Sequence, residues 1–138
     1  MRHYIIASHG EFSKGIYESI KIIIGEQPNI HIITAFIDGK NDIDAYVKDA
    51  LKDIPAEDEI IVCTDVFGGS VNSEFMKLLT TQKKLYLITG MNLPLMLQLF
   101  LSVEEDTDRM IRAIVNSEDT QVKYCNLMIE NVHDEDDF

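Results

Sequence analysis

Two short stretches carry residue types that can do chemistry. Ser8-His9-Gly10 closes the apolar run His3-Tyr4-Ile5-Ile6-Ala7 and opens a helical pattern. Thr64-Asp65-Val66-Phe67-Gly68-Gly69-Ser70 follows the apolar run Glu59-Ile60-Ile61-Val62-Cys63 and leads into a second helical pattern. A histidine between a strand and a helix can hold a phosphate, bind a metal or move a proton. A carboxylate bonded to one imidazole N–H fixes the tautomer and leaves the other ring nitrogen with a free lone pair. That nitrogen can be a nucleophile towards phosphorus, a general base or a metal ligand. Gly68-Gly69-Ser70 at a helix start would add backbone N–H groups, a hydroxyl and the positive end of the helix dipole, the makings of an anion site. No second His or Cys stands at ligand spacing near His9, so the set favours phosphoryl chemistry over a metal, and no cofactor is expected.

Taken singly, each of these residues has a plainer reading. His9 alone is a capping or solvated histidine, Asp65 alone a loop carboxylate, and Gly-Gly-Ser a turn. Their weight comes from being brought together, and that depends on the fold. Apolar runs at 3–7, 30–36, 59–63 and 84–89 read as strands rich in β-branched residues. Between them lie helical stripes: Phe12, Ile16, Ile20 and Ile24, stopped by Gly25 and Pro28; then Ile43, Tyr46, Val47, Ala50, Leu51 and Ile54; then Val71, Phe75, Leu78 and Leu79. Asp38-Gly39 reads as a turn and Asn41 as a helix cap. After the fourth strand, Met91-Asn92-Leu93-Pro94 leads into a helix whose Leu95–Leu101 is apolar almost all round, and Asp106 or Thr107 can cap a further helix through Met110, Ile111, Ile114 and Val115. Val122–Ile129 reads as a last strand.

Strands alternating with helices imply a doubly wound α/β fold with a mostly parallel sheet, every strand-to-helix loop lying at one edge. In the flavodoxin-like order 2-1-3-4 the first and third strands are neighbours at the switch point. Ser8-His9-Gly10 and Thr64–Ser70 then meet in one crevice.

The chain's 138 residues suit one domain, and 46% apolar with 26% charged residues suits a globular one. Net charge is −12, and removing the tail acids Asp134-Glu135-Asp136-Asp137 leaves 20 acidic against 12 basic residues, a body still at −8. Such a body repels nucleic-acid phosphates and anionic lipid, so neither partner is expected. The N-terminus enters a strand pattern with almost no basic lead, and no apolar run reaches the roughly 20 residues that span a bilayer. A cytoplasmic protein without direct membrane insertion is the expectation. Cys63 and Cys125 lie in apolar runs and read as buried free thiols. His3, His31 and His133 have no chemical company and read as structural or solvated.

With these motifs in hand, the sequence resembles the enzyme IIA components of the mannose-fructose-sorbose family of the bacterial phosphoenolpyruvate-dependent sugar phosphotransferase system. Ser8-His9-Gly10, Thr64-Asp65-Val66-Phe67-Gly68-Gly69-Ser70 and Thr89-Gly90-Met91-Asn92-Leu93-Pro94 stand in family order. The resemblance covers residues 1–131 as one IIA domain and leaves 132–138 as an acidic tail expected to be disordered. It implies that His9 accepts a phosphoryl group from phospho-HPr at Nε2 and passes it to the IIB component, with the membrane components IIC and IID downstream. Asp65 would orient the ring through Nδ1, and Gly68, Gly69 and Ser70 would bind the phosphoryl oxygens. It implies a homodimer too, with a C-terminal antiparallel strand exchanged between subunits, a part for Val122–Ile129. One departure is Val71, where the family commonly has Pro; since Pro at that first helical position only pre-sets φ, little loss is expected.

Other functions fit the same topology less well. A response-regulator receiver needs an acidic pair after the first strand, where Ala7-Ser8-His9 stands, and a lysine after a fifth parallel strand. A flavin- or nucleotide-binding module needs a phosphate-cradling loop after the first strand, where a single glycine appears. A dimeric scaffold without catalysis is the plainest alternative, and the phosphotransferase subunit of dihydroxyacetone kinase is the nearest competitor.

Overall fold

The computed structural model describes residues 1–37 and 42–136, with side chains described through residue 130. Four parallel strands, β1 (Arg2–His9), β2 (Ile30–Ala35), β3 (Glu59–Thr64) and β4 (Leu85–Thr89), pair in the order β2-β1-β3-β4. Among them run α1 (Phe12–Ile24), α2 (Ile43–Leu51) and α3 (Ser70–Leu78), followed by α4 (Leu93–Leu101), α5 (Thr107–Val115), a 3-10 turn (Glu118–Thr120) and α6 (Cys125–Asp136). The expected strand order is the one found. It makes β1 and β3 neighbours, with Ala7 opposite Thr64 at their C-terminal ends.

The period-2 alternation of strand side chains builds two cores, one on each face of the sheet. Tyr4, Ile6, Ile61 and Cys63 pack with Ile20 of α1, Met96 and Leu99 of α4 and Met110 of α5. Ile5, Ala7 and Val62 pack on the other face with Val47 of α2 and Val71 and Phe75 of α3. The same alternation sends Ser8 towards α1 and His9 towards α3. The apolar α4 is largely accounted for by this packing. Leu95, Met96 and Leu99 are buried, each removal from water contributing about 1.5–3 kcal/mol, while Leu101 stays exposed.

Side chains cap three helices. Asp42 accepts the Ala45 N–H of α2, Asn92 the Leu95 N–H of α4 and Asp106 the Arg109 N–H of α5. Asp42 thus takes the cap expected of Asn41, which lies, with the Asp38-Gly39 turn, outside the described residues. Thr107, the other capping candidate for α5, is buried instead: its hydroxyl donates to Glu59 Oε1 and accepts from Arg2 Nε.

The C-terminal segment corrects the sequence reading. The chain ends in helix α6, not in an antiparallel strand, so the strand exchange expected of a dimer falls with it. The apolar pattern there serves both periods: Cys125, Leu127 and Ile129 alternate as in a strand, while Tyr124, Leu127 and Met128 stand at helical spacing. A strand must find its backbone partners on a neighbour, whereas a helix satisfies them within itself. Of the stretch expected as a disordered tail, the backbone is helical through Asp136, and its side chains and the last two residues lie outside the described set. Cys125 is exposed, contrary to expectation, while Cys63 is buried and burial pushes its thiol pKa up to about 12.

Candidate functional site

β1 and β3 carry their chemistry past the same edge of the sheet. His9 is the last residue of β1, and Asp65 follows β3 directly. The Asp65 carboxylate is the organising group. Its Oδ2 accepts both the His9 backbone N–H at 2.9 Å and the His9 Nδ1–H at 2.8 Å, and its Oδ1 accepts the Val66 N–H at 3.0 Å. An ionised carboxylate only accepts, so the Nδ1 contact places the ring proton on Nδ1 and leaves the lone pair on Nε2. Burial pushes the Asp65 carboxyl up, but the hydrogen bonds from the His9 amide and ring, with the charge of the ring, outweigh it and hold the carboxyl below its ordinary range.

Nε2 faces the start of α3, where the Ser70 hydroxyl stands at 3.4 Å, a long contact that leaves room between them. Ser70 opens α3 behind the N-cap Gly69, so the free N–H groups of the first turn and the positive helix end lie at the site. Gly68 turns the chain into that position at φ +78°, a left-handed value that glycine adopts without strain. Gly69 is needed for closeness: a Cβ there would stand 3.0 Å from His9 Cε1 and 3.0 Å from Val66 Cγ2. Beneath the loop, the buried Thr64 hydroxyl donates to Asn72 Oδ1 at 2.7 Å and ties the end of β3 to the first turn of α3. Val71 is the second helical residue of α3, not the first, and its side chain is fully buried against the sheet.

The turn that carries His9 is fastened on both sides. Gly10 N–H donates to Ala35 O at 2.7 Å, joining the turn to the end of β2. Ser8 is no site residue: it is buried, and its Oγ accepts the Ser13 N–H at 2.7 Å, doing for α1 what the N-cap Glu11 side chain does not. Ser13 Oγ in turn donates to Ile33 O of β2 at 2.8 Å.

One neighbour of His9 escaped the sequence reading. The Phe36 ring lies nearly parallel to the imidazole, 14° from coplanar with centroids 5.2 Å apart. Phe36 reaches it with a left-handed backbone, φ +63°, a conformation that costs a bulky L-residue on the order of 1–3 kcal/mol. Its signal in the sequence is slight: an aromatic immediately after the strand beside β1. His9 remains 40% exposed and Asp65 only 13%. Phe12, Val66 and Phe67, close to His9 and Asp65 in the chain, are exposed apolar residues at this end of the molecule. The 660 Å³ cleft between β2 and α2 is lined by other residues, among them Tyr46, Asp49 and Asp53. No cluster of metal-ligating side chains occurs among the described residues.

The arrangement offers an oriented imidazole, its free nitrogen turned to an anion-favouring helix start, on an open surface. Comparison with known proteins agrees with that chemistry. The sequence model of the family described as "PTS system fructose IIA component" matches residues 3–132. The fructose-specific EIIA component of the phosphotransferase system of Bacillus subtilis is 32% identical over 102 residues, 73% of this chain and 69% of that protein. A crystal structure from Klebsiella pneumoniae, described as a phosphoenolpyruvate-dependent sugar phosphotransferase system permease, superposes with a TM-score of 0.86 at 40% identity, covering 93% of each chain. The EIIA component from Streptococcus agalactiae does so with a TM-score of 0.77 at 28% identity, covering 91% of this chain and 99% of that one. The chain belongs to the mannose/fructose/sorbose family of enzyme IIA components of the sugar phosphotransferase system, phosphocarriers that act in sugar uptake through a phosphohistidine.

Proposed function

We propose that His9 is the residue phosphorylated, receiving its phosphoryl group from phospho-HPr and delivering it to a histidine of the IIB component, with IIC and IID carrying the sugar downstream. The observation that carries this reading is the Asp65 contact at Nδ1, which leaves Nε2 as the free nucleophile beside Ser70. In the forward step the Nε2 lone pair forms a bond to phosphorus as the bond from phosphorus to the donor nitrogen breaks, its electrons returning to the donor. The Nδ1 proton stays in its hydrogen bond to Asp65, which offsets the positive charge gathering on the ring. Gly68, Gly69 and Ser70 hold the phosphoryl oxygens with their backbone N–H groups and the Ser70 hydroxyl at the start of α3. Positioning and electrostatics then supply the catalysis, as in phosphoryl transfer generally.

The exposed apolar residues Phe12, Val66 and Phe67 support a protein, rather than a small molecule, as the species met at His9. The sugar never reaches this domain in the proposed sequence. A cytoplasmic placement goes with these partners, and no described helix is long and apolar enough to cross a membrane. A homodimer finds its support in the exposed Leu127, Met128 and Ile129 of α6 and the exposed Tyr124 just before it.

Incubation with phosphoenolpyruvate, enzyme I and HPr tests the assignment. The expected product is an acid-labile, base-stable phosphoryl group that His9→Ala abolishes. Labelling that persists in His9→Ala, or that shows acyl-phosphate lability and maps to Asp65, overturns it.

A further inference from the structure

We propose that Phe36 is a positioning residue for the transfer, an aromatic plate that fixes the plane of the imidazole, a reading that rests on His9 as the phosphoryl acceptor. The need for such a plate follows from how a histidine ring is attached. Its second side-chain torsion joins a tetrahedral carbon to a planar ring, and such torsions are broad. The Asp65 bond to Nδ1 holds one edge of the ring, but a hydrogen bond tolerates tens of degrees of misalignment. The lone pair of Nε2 lies in the ring plane, so tilting that plane swings it away from Ser70 and the start of α3.

One contact limits this freedom. The Phe36 ring covers one face of the imidazole, centroids 5.2 Å apart and planes 14° apart, within the range of favourable offset stacking. Gly69 lies beside the ring edge and, lacking a side chain, leaves Cε1 the room that a methyl group 3.0 Å away would take. Asp65 and Phe36 thus hold a nitrogen and a face, and the other ring nitrogen, Nε2, is the one left to meet phosphorus.

The backbone at Phe36 points the same way. Its φ of +63° is unfavourable for a bulky side chain, and glycine or asparagine would adopt it more readily. The neighbouring Ala35 carbonyl is pinned by the Gly10 N–H, so the end of β2 is fastened to the turn carrying His9. A strained residue held against the ring of the nucleophile is the arrangement expected of preorganisation. The exposure of Phe36, 39%, leaves a competing role open to test, that of a partner contact.

The test uses the full chain and phospho-HPr as donor. Single-turnover transfer is measured across donor concentrations for the wild type, Phe36→Leu, Phe36→Gly and Phe36→Tyr, with labelling of the wild type and His9→Ala as the reference for the acceptor. Phe36→Leu and Phe36→Gly are expected to lower the maximal rate by roughly ten- to a hundredfold with little change in half-saturating donor concentration, as misaligned reactants do. Phe36→Tyr, which keeps the plate, is expected to stay within about twofold of the wild type. In the unphosphorylated protein the His9 ring protons are expected to lose an upfield ring-current shift in Phe36→Leu and keep it in Phe36→Tyr. The proposal is overturned by a wild-type maximal rate in Phe36→Leu, by a loss confined to half-saturation, or by a Phe36→Tyr as slow as Phe36→Leu. The ring-current readout needs no phosphoryl transfer. A loss of the His9 assignment, seen as persistent labelling in His9→Ala, is therefore distinguishable from a failure of the stacking argument.

Discussion

The sheet carries a histidine–aspartate pair at each end, and the two differ in what the second ring nitrogen meets. At the C-terminal edge, His9 Nδ1 bonds Asp65 at 2.8 Å; at the N-terminal edge, His3 Nε2 bonds Asp58 at 2.9 Å. Both histidines belong to β1, six residues apart, or about 20 Å at strand rise. Both carboxyls lie below their ordinary range, Asp58 mainly because His3 hydrogen-bonds it. The difference is in the nitrogen left over. His9 is 40% exposed and turns Nε2 to a helix start, whereas His3 is 12% exposed and its buried Nδ1 has no partner among the described residues. Asp58 is further engaged by the N-terminal amine at 3.5 Å. A carboxylate bonded to imidazole is thus not a site by itself; what the second nitrogen faces decides.

The sharpest way to break the comparison is to remove each histidine. His9→Ala is expected to abolish phosphoryl labelling, and His3→Ala to leave it at the wild-type level, both read by the phosphoenolpyruvate-dependent assay. Removing the carboxylates comes next. Asp65→Ala should slow transfer by roughly 10–100-fold with the fold intact, the usual effect of losing an orienting carboxylate. Asp58→Ala should lower the melting temperature and leave transfer unchanged; a slowed transfer there would erase the distinction between the two ends. Gly69→Ala is a smaller insult, a methyl pressed on Cε1, and should cost roughly tenfold in rate with circular dichroism unchanged.

The smallest effect concerns acid. A carboxyl whose folded pKa lies below its unfolded value of about 3.9 contributes stability in full above that value. The contribution is lost as pH falls through the lower folded pKa. Melting curves between pH 5 and pH 2 should therefore fall more steeply for the wild type than for Asp65→Asn or Asp58→Asn. Equal slopes would show that neither pair stabilises the fold.

The alternation of strand and helix was legible because each strand is a compact β-branched run set apart by helical stripes, whereas the flavodoxin-like order was assumed and is supplied by the structure. That order alone brings His9 and Asp65, 56 positions apart, into contact. Gly69 and Ser70 could be singled out as a helix start, but the closeness that makes Gly69 necessary is a tertiary fact. Phe36 was not legible, since its place over His9 depends on a left-handed φ that no neighbouring residue type announces. Asn72 likewise gives no hint that it will bond a strand hydroxyl. The C-terminal strand was misread because Tyr124–Ile129 satisfies two periods at once, and a helix pairs its own backbone groups where a strand would have to find them on a neighbour.

The fastened turn after β1 bears on how often the molecule can be used. A phosphocarrier meets two different proteins in every cycle, and each encounter loses affinity to whatever segment it has to order. Here the Gly10–Ala35 and Ser13–Ser8 hydrogen bonds tie down the backbone around His9, the proposed acceptor, before a partner would arrive. The ordering entropy is spent once, during folding, rather than twice per turnover. With His9 as the acceptor, loading and unloading would begin from the same fastened turn, and neither direction of transfer would be favoured by a loop that must close for one visitor and open for the other.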